Sequence, residues 1–127
     1  MFTHVMVGTD DMERAIRFYS AVLGTLRLRG PTMHEGRVIY SDRNRVLFMI
    51  TTPLNGEPAS GANGGTIGFA AESPEMVAAF HAAGLANGGT AIENPPGPRE
   101  MSFGTLHLAY LRDPDGNKIC ALHRPAQ

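Results

Sequence analysis

His4 near one end of the sequence and Cys120 near the other are the side chains best suited to hold a metal or move a proton at neutral pH. A catalytic metal normally needs about three protein ligands and an open position. Two ligands would hold a soft ion weakly. A turn at Asp113-Pro114-Asp115-Gly116-Asn117, flanked by apolar runs, predicts a hairpin between residues 105–112 and 118–123. If Arg112 faces Lys118, then Tyr110 lies opposite Cys120 and Leu108 opposite Leu122 on one face, while His107 and His123 meet on the other. The like charges of Arg112 and Lys118 count against this register. Tyr110 could donate its hydroxyl to a ligand oxygen, or pack half-buried. Cys120 reads as a small buried hydrophobe. Nothing supplies a third ligand to the His107–His123 pair, so that pair reads as packing.

Composition narrows the function classes. Eleven Lys and Arg against twelve Asp and Glu leave a net charge of −1, with the basic residues scattered, which argues against nucleic acid as a partner. The N-terminus lacks a basic segment followed by an apolar one, and no apolar run approaches the roughly 20 residues of a membrane span. No membrane partner is expected. One cysteine permits no intramolecular disulfide and suits a reducing compartment, so a cytoplasmic location is expected. The length of 127 residues suits one domain.

The elements that must position these side chains repeat. Residues 2–7 predict a strand. Asp10-Asp11-Met12-Glu13 then offers an N-cap with an acid three residues later, opening a helix whose apolar stripe is Met12, Ala15, Ile16, Tyr19, Val22 and Leu23, with Gly24 placed to stop it. Strands are predicted at 26–29, 37–42 and 46–52. A Gly/Pro/Asn-rich linker spans about 54–65. The pattern restarts with a strand at 66–71 and a helix opened by Ser73-Pro74-Glu75, with Met76, Val77, Phe80 and Ala83 as its stripe and Gly84 or Gly88-Gly89 at its end. Strands follow at 90–93, 105–112 and 118–123. Phe18 aligns with Phe80 and Ala21 with Ala83; near the end of each half Ser41 aligns with Asp113, Asn44 with Gly116 and Pro53 with Pro125. Each half is β-α-β-β-β, the first about 1–53 and the second about 66–127, within a single domain. A ferredoxin-like domain would place two strands between its helices, and three are predicted here.

With the elements placed, Thr3-His4-Val5-Met6-Val7, the stretch from Asp11 to Tyr19, Leu23-Gly24 and the closing run from Tyr110 to Ile119 resemble the vicinal oxygen chelate superfamily of glyoxalase I, extradiol dioxygenases and bleomycin-resistance proteins. The resemblance covers nearly the whole chain. It implies an α+β fold in which two tandem modules form a curved mixed sheet around a cavity, helices on the convex side. It also implies four metal-ligand positions, which fall here on His4, Phe48, Thr66 and Cys120. Metal-binding relatives carry His where Thr66 stands and Glu where Cys120 stands. Phe48 has no donor atom and Thr66 only a neutral hydroxyl, so no cofactor is expected, with a divalent metal as the alternative. The implied cavity is lined by His4, Met6, Phe48, Ile50, Thr66, Gly68, Leu108, Tyr110, Cys120 and Leu122. Arg99 matches a loop arginine of close relatives and could hold a carboxylate or phosphate at the mouth, the alternative being a solvated loop arginine. A small-molecule ligand with a partly apolar body follows, either a metabolite or an antibiotic, bound by a homodimer. The alternative is a metal-dependent lyase, isomerase or dioxygenase.

Overall fold

A computed structural model describes residues 1–125. The chain runs β1 (His4–Gly8), α1 (Met12–Thr25), β2 (Arg29–His34), β3 (Arg37–Ser41), β4 (Leu47–Thr51), β5 (Ile67–Ala70), α2 (Pro74–Ala86), β6 (Thr90–Ala91), β7 (Gly97–Met101), β8 (Gly104–Arg112) and β9 (Lys118–His123). The fold is α+β, with two helices and two open, curved, mixed sheets. The first sheet has the order β1-β4-β3-β2; the second has the order β5-β9-β8-β6, with β7 also pairing β8. In each sheet the leading strand pairs parallel with the last, and the remaining pairs are antiparallel.

Both helices start where their caps require. The Asp11 carboxylate accepts from the Arg14 amide at 3.1 Å, and the Ser73 hydroxyl from the Met76 amide at 3.2 Å. Gly24 does not stop α1. Arg27, with φ of 65°, takes the left-handed position that closes the helix, its amide donating to the Gly24 carbonyl. Gly84 likewise stays inside α2, because a Cβ there would lie 2.5 Å from Leu111 Cδ2. That close approach seats the helix on β8.

Two strands depart from expectation. β2 begins at Arg29, where the predicted strand ended, and β7 occupies residues expected to be a loop. Both are edge strands containing proline, Pro31 and Pro98, and an edge tolerates a missing donor that a central strand does not. The repeat is also one residue out of the expected register near the end of each half. The amides of Asn44 and Val46 donate to Asp42 Oδ1 at 2.8 and 2.9 Å, and those of Asp115 and Asn117 donate to Asp113 Oδ1, both at 2.9 Å. Asp42, not Ser41, therefore matches Asp113, and Arg45 (φ 64°) matches Gly116 (φ 94°).

The slip decides which way β4 faces. Phe48 and Ile50, expected in the cavity, point to the helices, 3% and 0% exposed. A one-residue shift reverses every side chain of a strand. Phe48 sits in a run of aromatic contacts, Phe18–Tyr19–Phe48–Phe69–Phe80, with successive ring centroids 4.9, 4.6, 5.3 and 6.0 Å apart. This run threads both halves, whose helix-facing residues share one core.

Polar contacts lock the halves at one end of that core. The Tyr19 hydroxyl donates to Asp113 Oδ2 at 2.5 Å, and Asp115 accepts from the Thr9 hydroxyl (2.6 Å), the Asp10 amide (3.1 Å) and Arg14 (2.9 Å). Burial, and next the Asp113 charge, push the Tyr19 phenol well above its ordinary value. A raised folded-state value stabilises the fold below the unfolded value near 10 and is lost as pH climbs beyond it. Tyr19→Phe should cost about 1.5–3 kcal/mol at pH 7, the range for a bond to a charged acceptor. It should also flatten the loss of stability above about pH 10 by up to roughly 1.4 kcal/mol per pH unit. Urea melts of both proteins from pH 7 to 11 measure this, and parallel alkaline slopes would contradict it.

Candidate functional site

The outward face of the second sheet carries a small cluster of its own. On β8 the alternation turns Ala109 and Leu111 to the helices and Leu106, Leu108 and Tyr110 away from them. The register across the closing hairpin is the expected one, with Tyr110 opposite Cys120, Leu108 opposite Leu122, and Arg112 opposite Lys118. The like charges part: Arg112 donates to the Gly116 carbonyl at 2.8 Å, while Lys118 pairs with Glu93. Leu106, Leu108 and Cys120 are buried, with Tyr110 and Leu122 packed against them. Gly68 on β5 lies beside Cys120, and a Cβ there would be 3.3 Å from the thiol sulfur. Thr66 is exposed just ahead of β5.

Electrostatics on this face are set by few groups. Burial pushes the Cys120 thiol up to about 11; the Lys118 charge opposes that shift and the Glu93 charge reinforces it. A thiol so shifted is neutral at pH 7 and a poor nucleophile. The Tyr110 phenol is also raised, first by burial and then by Cys120 and Glu93, against Lys118 and Arg99. Lys118 lies over the Tyr110 ring, its Nζ 4.9 Å from the centroid.

Arg99 is on β7 and paired with Leu106, not in a loop. Its guanidinium donates to the carbonyls of Asn94 (3.1 Å), Pro95 (3.0 Å), Gly97 (3.1 Å) and Pro98 (3.4 Å). It staples the preceding loop with the donors expected to grip a ligand. His107 and His123 are neighbours on the helix side, ring centroids 6.2 Å apart, and His123 Nδ1 lies 3.0 Å from the Ala71 carbonyl. Lys118 and Glu93 were not among the residues expected at the site. Lys118 alternates with Cys120 on one strand, so the hairpin register already carried it to this face. Glu93 reaches it only because its backbone is left-handed, with φ of 61°.

His4 and Met6 face outward from β1, both exposed, and His4 Nδ1 is 2.9 Å from the Thr3 hydroxyl. They are not brought to Tyr110 and Cys120. The cluster on the second sheet contains no residue of the first half, and among the described residues no strand of one sheet pairs with a strand of the other. Between their leading edges opens a groove of about 550 Å³, lined by Phe2 and Val5 on one side and Ile67 and Phe69 on the other. Met49, paired with Met6 as Cys120 is with Gly68, takes the place expected for Phe48. Its thioether is a soft, weak ligand. Among the described residues no three His, Cys, Asp or Glu side chains come together as a metal cluster. His4, Met49, Thr66 and Cys120 supply an imidazole, a weak thioether, a neutral hydroxyl and a thiol, divided between two faces that one chain does not bring together, so this donor set does not fit the group.

Residues 1–121 match the profile of the Glyoxalase/Bleomycin resistance protein/Dioxygenase superfamily. The crystal structure of a glyoxalase/bleomycin resistance protein from Albidiferax ferrireducens T118 is 58% identical, with 98% of this chain and 99% of that chain covered and a TM-score of 0.93. A probable lactoylglutathione lyase of Vibrio cholerae is 29% identical over 121 residues, 91% of this chain and 85% of that protein. The crystal structure of a lactoylglutathione lyase from Agrobacterium tumefaciens, 21% identical, covers 97% of this chain and 92% of its own with a TM-score of 0.65, a likeness of fold.

The raised thiol has a direct consequence. Cys120 in the folded protein should react with iodoacetamide at pH 8 at least about a hundredfold more slowly than the same thiol in urea, where its value returns to about 8.5. Mass-spectrometric timing of alkylation checks this; equal rates would mean that the thiol is neither buried nor shifted.

Proposed function

The chain belongs to the Glyoxalase/Bleomycin resistance protein/Dioxygenase superfamily, and from that premise we propose that it is a metal-independent binding protein, taking up a small, partly apolar molecule without transforming it. The molecule is a metabolite or an antibiotic, and the setting is cytoplasmic. One observation carries this function: the outward face of the second sheet is leucine-rich with a single phenol, while the positions where relatives place metal ligands hold Met49, Thr66 and a protonated Cys120. Such a face suits an apolar body with few polar groups. The name of the Vibrio cholerae relative favours a metal-dependent lyase, and that alternative must do without a carboxylate at Cys120 and an imidazole at Thr66.

The binding unit is a homodimer. In one chain the face with His4, Met6 and Met49 is separate from the face with Tyr110 and Cys120, and among the described residues β1 and β5 are edges with no strand beyond them. An unpaired edge beside a groove lined by both apolar and charged residues invites another strand. A second copy supplies one under two-fold symmetry, and each first-half face then closes over the second-half face of the partner. His4 joins Tyr110 only in that assembly.

Two measurements test the proposal. Light scattering at micromolar concentration should give twice the chain mass of 13.6 kDa, and a value near 13.6 kDa would contradict the dimer. Protein purified without chelator or a nickel column should, after dialysis, contain far less than one equivalent of zinc, iron, nickel or manganese. A stoichiometric metal would overturn the metal-independent function in favour of the lyase.

A further inference from the structure

Beside the leucines of the second face stands a group of charges that the apolar lining does not explain. Lys118 is the outward residue of β9 two places before Cys120, and its side chain is 25% exposed. Two contacts fix the ammonium: the Glu93 carboxylate forms an ion pair with it, and the Tyr110 ring lies beneath it at 4.9 Å. Neither contact comes cheaply. Glu93 holds a left-handed backbone, φ 61°, which a residue with a Cβ rarely adopts without a reason elsewhere. The next residues, Asn94 to Pro98, are held by four carbonyl bonds from Arg99, which lies on the same face across from Leu106. The loop is thus fastened where Glu93 must sit to meet Lys118.

We propose that Lys118, oriented by Glu93 and Tyr110, recognises an anionic oxygen head group, a carboxylate or phosphate, on the ligand of this face. The proposal rests on this face being the binding face. The ammonium has three N–H donors; Glu93 takes up one side and the aromatic ring covers another, so a donor remains for the ligand. Around the Tyr110 phenol stand two cations, Lys118 and Arg99, and one anion, Glu93. Arg99 spends its donors on neutral carbonyls and keeps its charge. Cys120 is neutral, and Arg112, opposite Lys118, is turned to the Gly116 carbonyl. The local balance is positive in a half-buried setting, where screening by water is weaker than at the surface. An apolar body would lie on Leu106, Leu108 and Leu122, with its head at Lys118 and the Tyr110 hydroxyl.

Calorimetry with phenylacetate and its uncharged analogue phenylacetamide separates head from body. Wild type should prefer the anion by about tenfold or more, the range of a charge-assisted bond. Lys118→Gln should bring that ratio close to one by weakening phenylacetate far more than phenylacetamide, and Lys118→Arg should restore most of it. Glu93→Gln, which removes the competing carboxylate, should hold or raise the preference. A purely structural Lys118 would weaken both probes together, and that result, or a ratio unmoved in Lys118→Gln, overturns the assignment. Wild type binding both probes equally overturns it too, while leaving the apolar face as the binding face. No saturable binding of either probe at millimolar concentration overturns both.

Discussion

Everything in this structure depends on the two carboxylates of the closing hairpin, Asp113 and Asp115. Asp113 organises its own turn through the amides of Asp115 and Asn117, and with its other oxygen it accepts from Tyr19 in the first helix and from the Asn117 side chain. Asp115 receives Thr9, Asp10 and Arg14 at the start of that helix. The hairpin thus fixes where the first helix begins relative to the second sheet. The linker follows: the Ala59 amide donates to Asp10 at 2.7 Å, and Gly61 lies so close to Gly116 that a Cβ would meet its carbonyl at 2.4 Å. With helix faces clamped into one core, the outward faces of the two sheets are held apart, and a site needing both faces must draw on a second chain.

The repeat suggests a second lock that the sequence does not keep. In the aligned frame Asn44 stands for Asp115, Ala71 for Thr9, Met76 for Arg14 and His81 for Tyr19. Asp42 keeps the turn-forming role of Asp113, but the hydroxyl of Thr9 and the guanidinium of Arg14 give way to side chains with no donor, and the Asp115 carboxylate to a neutral amide. Asn44 and Asp42 instead line the groove between the sheets, together with Glu72, Arg27, Arg29 and Arg43. His81 is buried on the second helix, and desolvation lowers its value, so it packs as a neutral ring. The two halves thus meet at one hydrogen-bonded junction, while the matching place at the other end is a groove along the strand edges.

How much of this was legible in the sequence depended on whether the signal was local. Caps and a 3.6-residue period placed both helices. The five-residue turn at Asp113 fixed the register of the last two strands, so Tyr110, Leu108, Cys120 and Leu122 were put on one face correctly. The edge strands at Arg29 and Gly97 were hidden by their prolines, which are tolerated only because nothing pairs beyond them. The error at Phe48 was of another kind. The two hairpins differ in composition, Asp-Arg-Asn-Arg-Val against Asp-Pro-Asp-Gly-Asn, and only their shared aspartate-to-amide bonds reveal the correct alignment. Hydrophobicity offered no help, since Leu47, Phe48, Met49 and Ile50 are all apolar.

The same limit explains why the charged group near Tyr110 was harder to see than the leucines around it. An apolar lining follows from strand alternation, and alternation is written in sequence. The Glu93–Lys118 pair needs a backbone turn that no composition announces, held by an arginine six residues further on whose bonds all go to main-chain carbonyls. Arg99 looked like a ligand-binding residue because an arginine in a Pro/Gly-rich segment has charge and reach. Its two terminal nitrogens, the ends that would reach a ligand, are each shared between two carbonyls. Its bonds fasten a chain that would otherwise be loose, and its charge still reaches the phenol. In a face where burial raises the thiol and Arg99 is tied to the backbone, the Lys118 ammonium is held between a carboxylate and an aromatic ring. The scaffold holds it in place with a strained glutamate, an aromatic ring and a stapled loop.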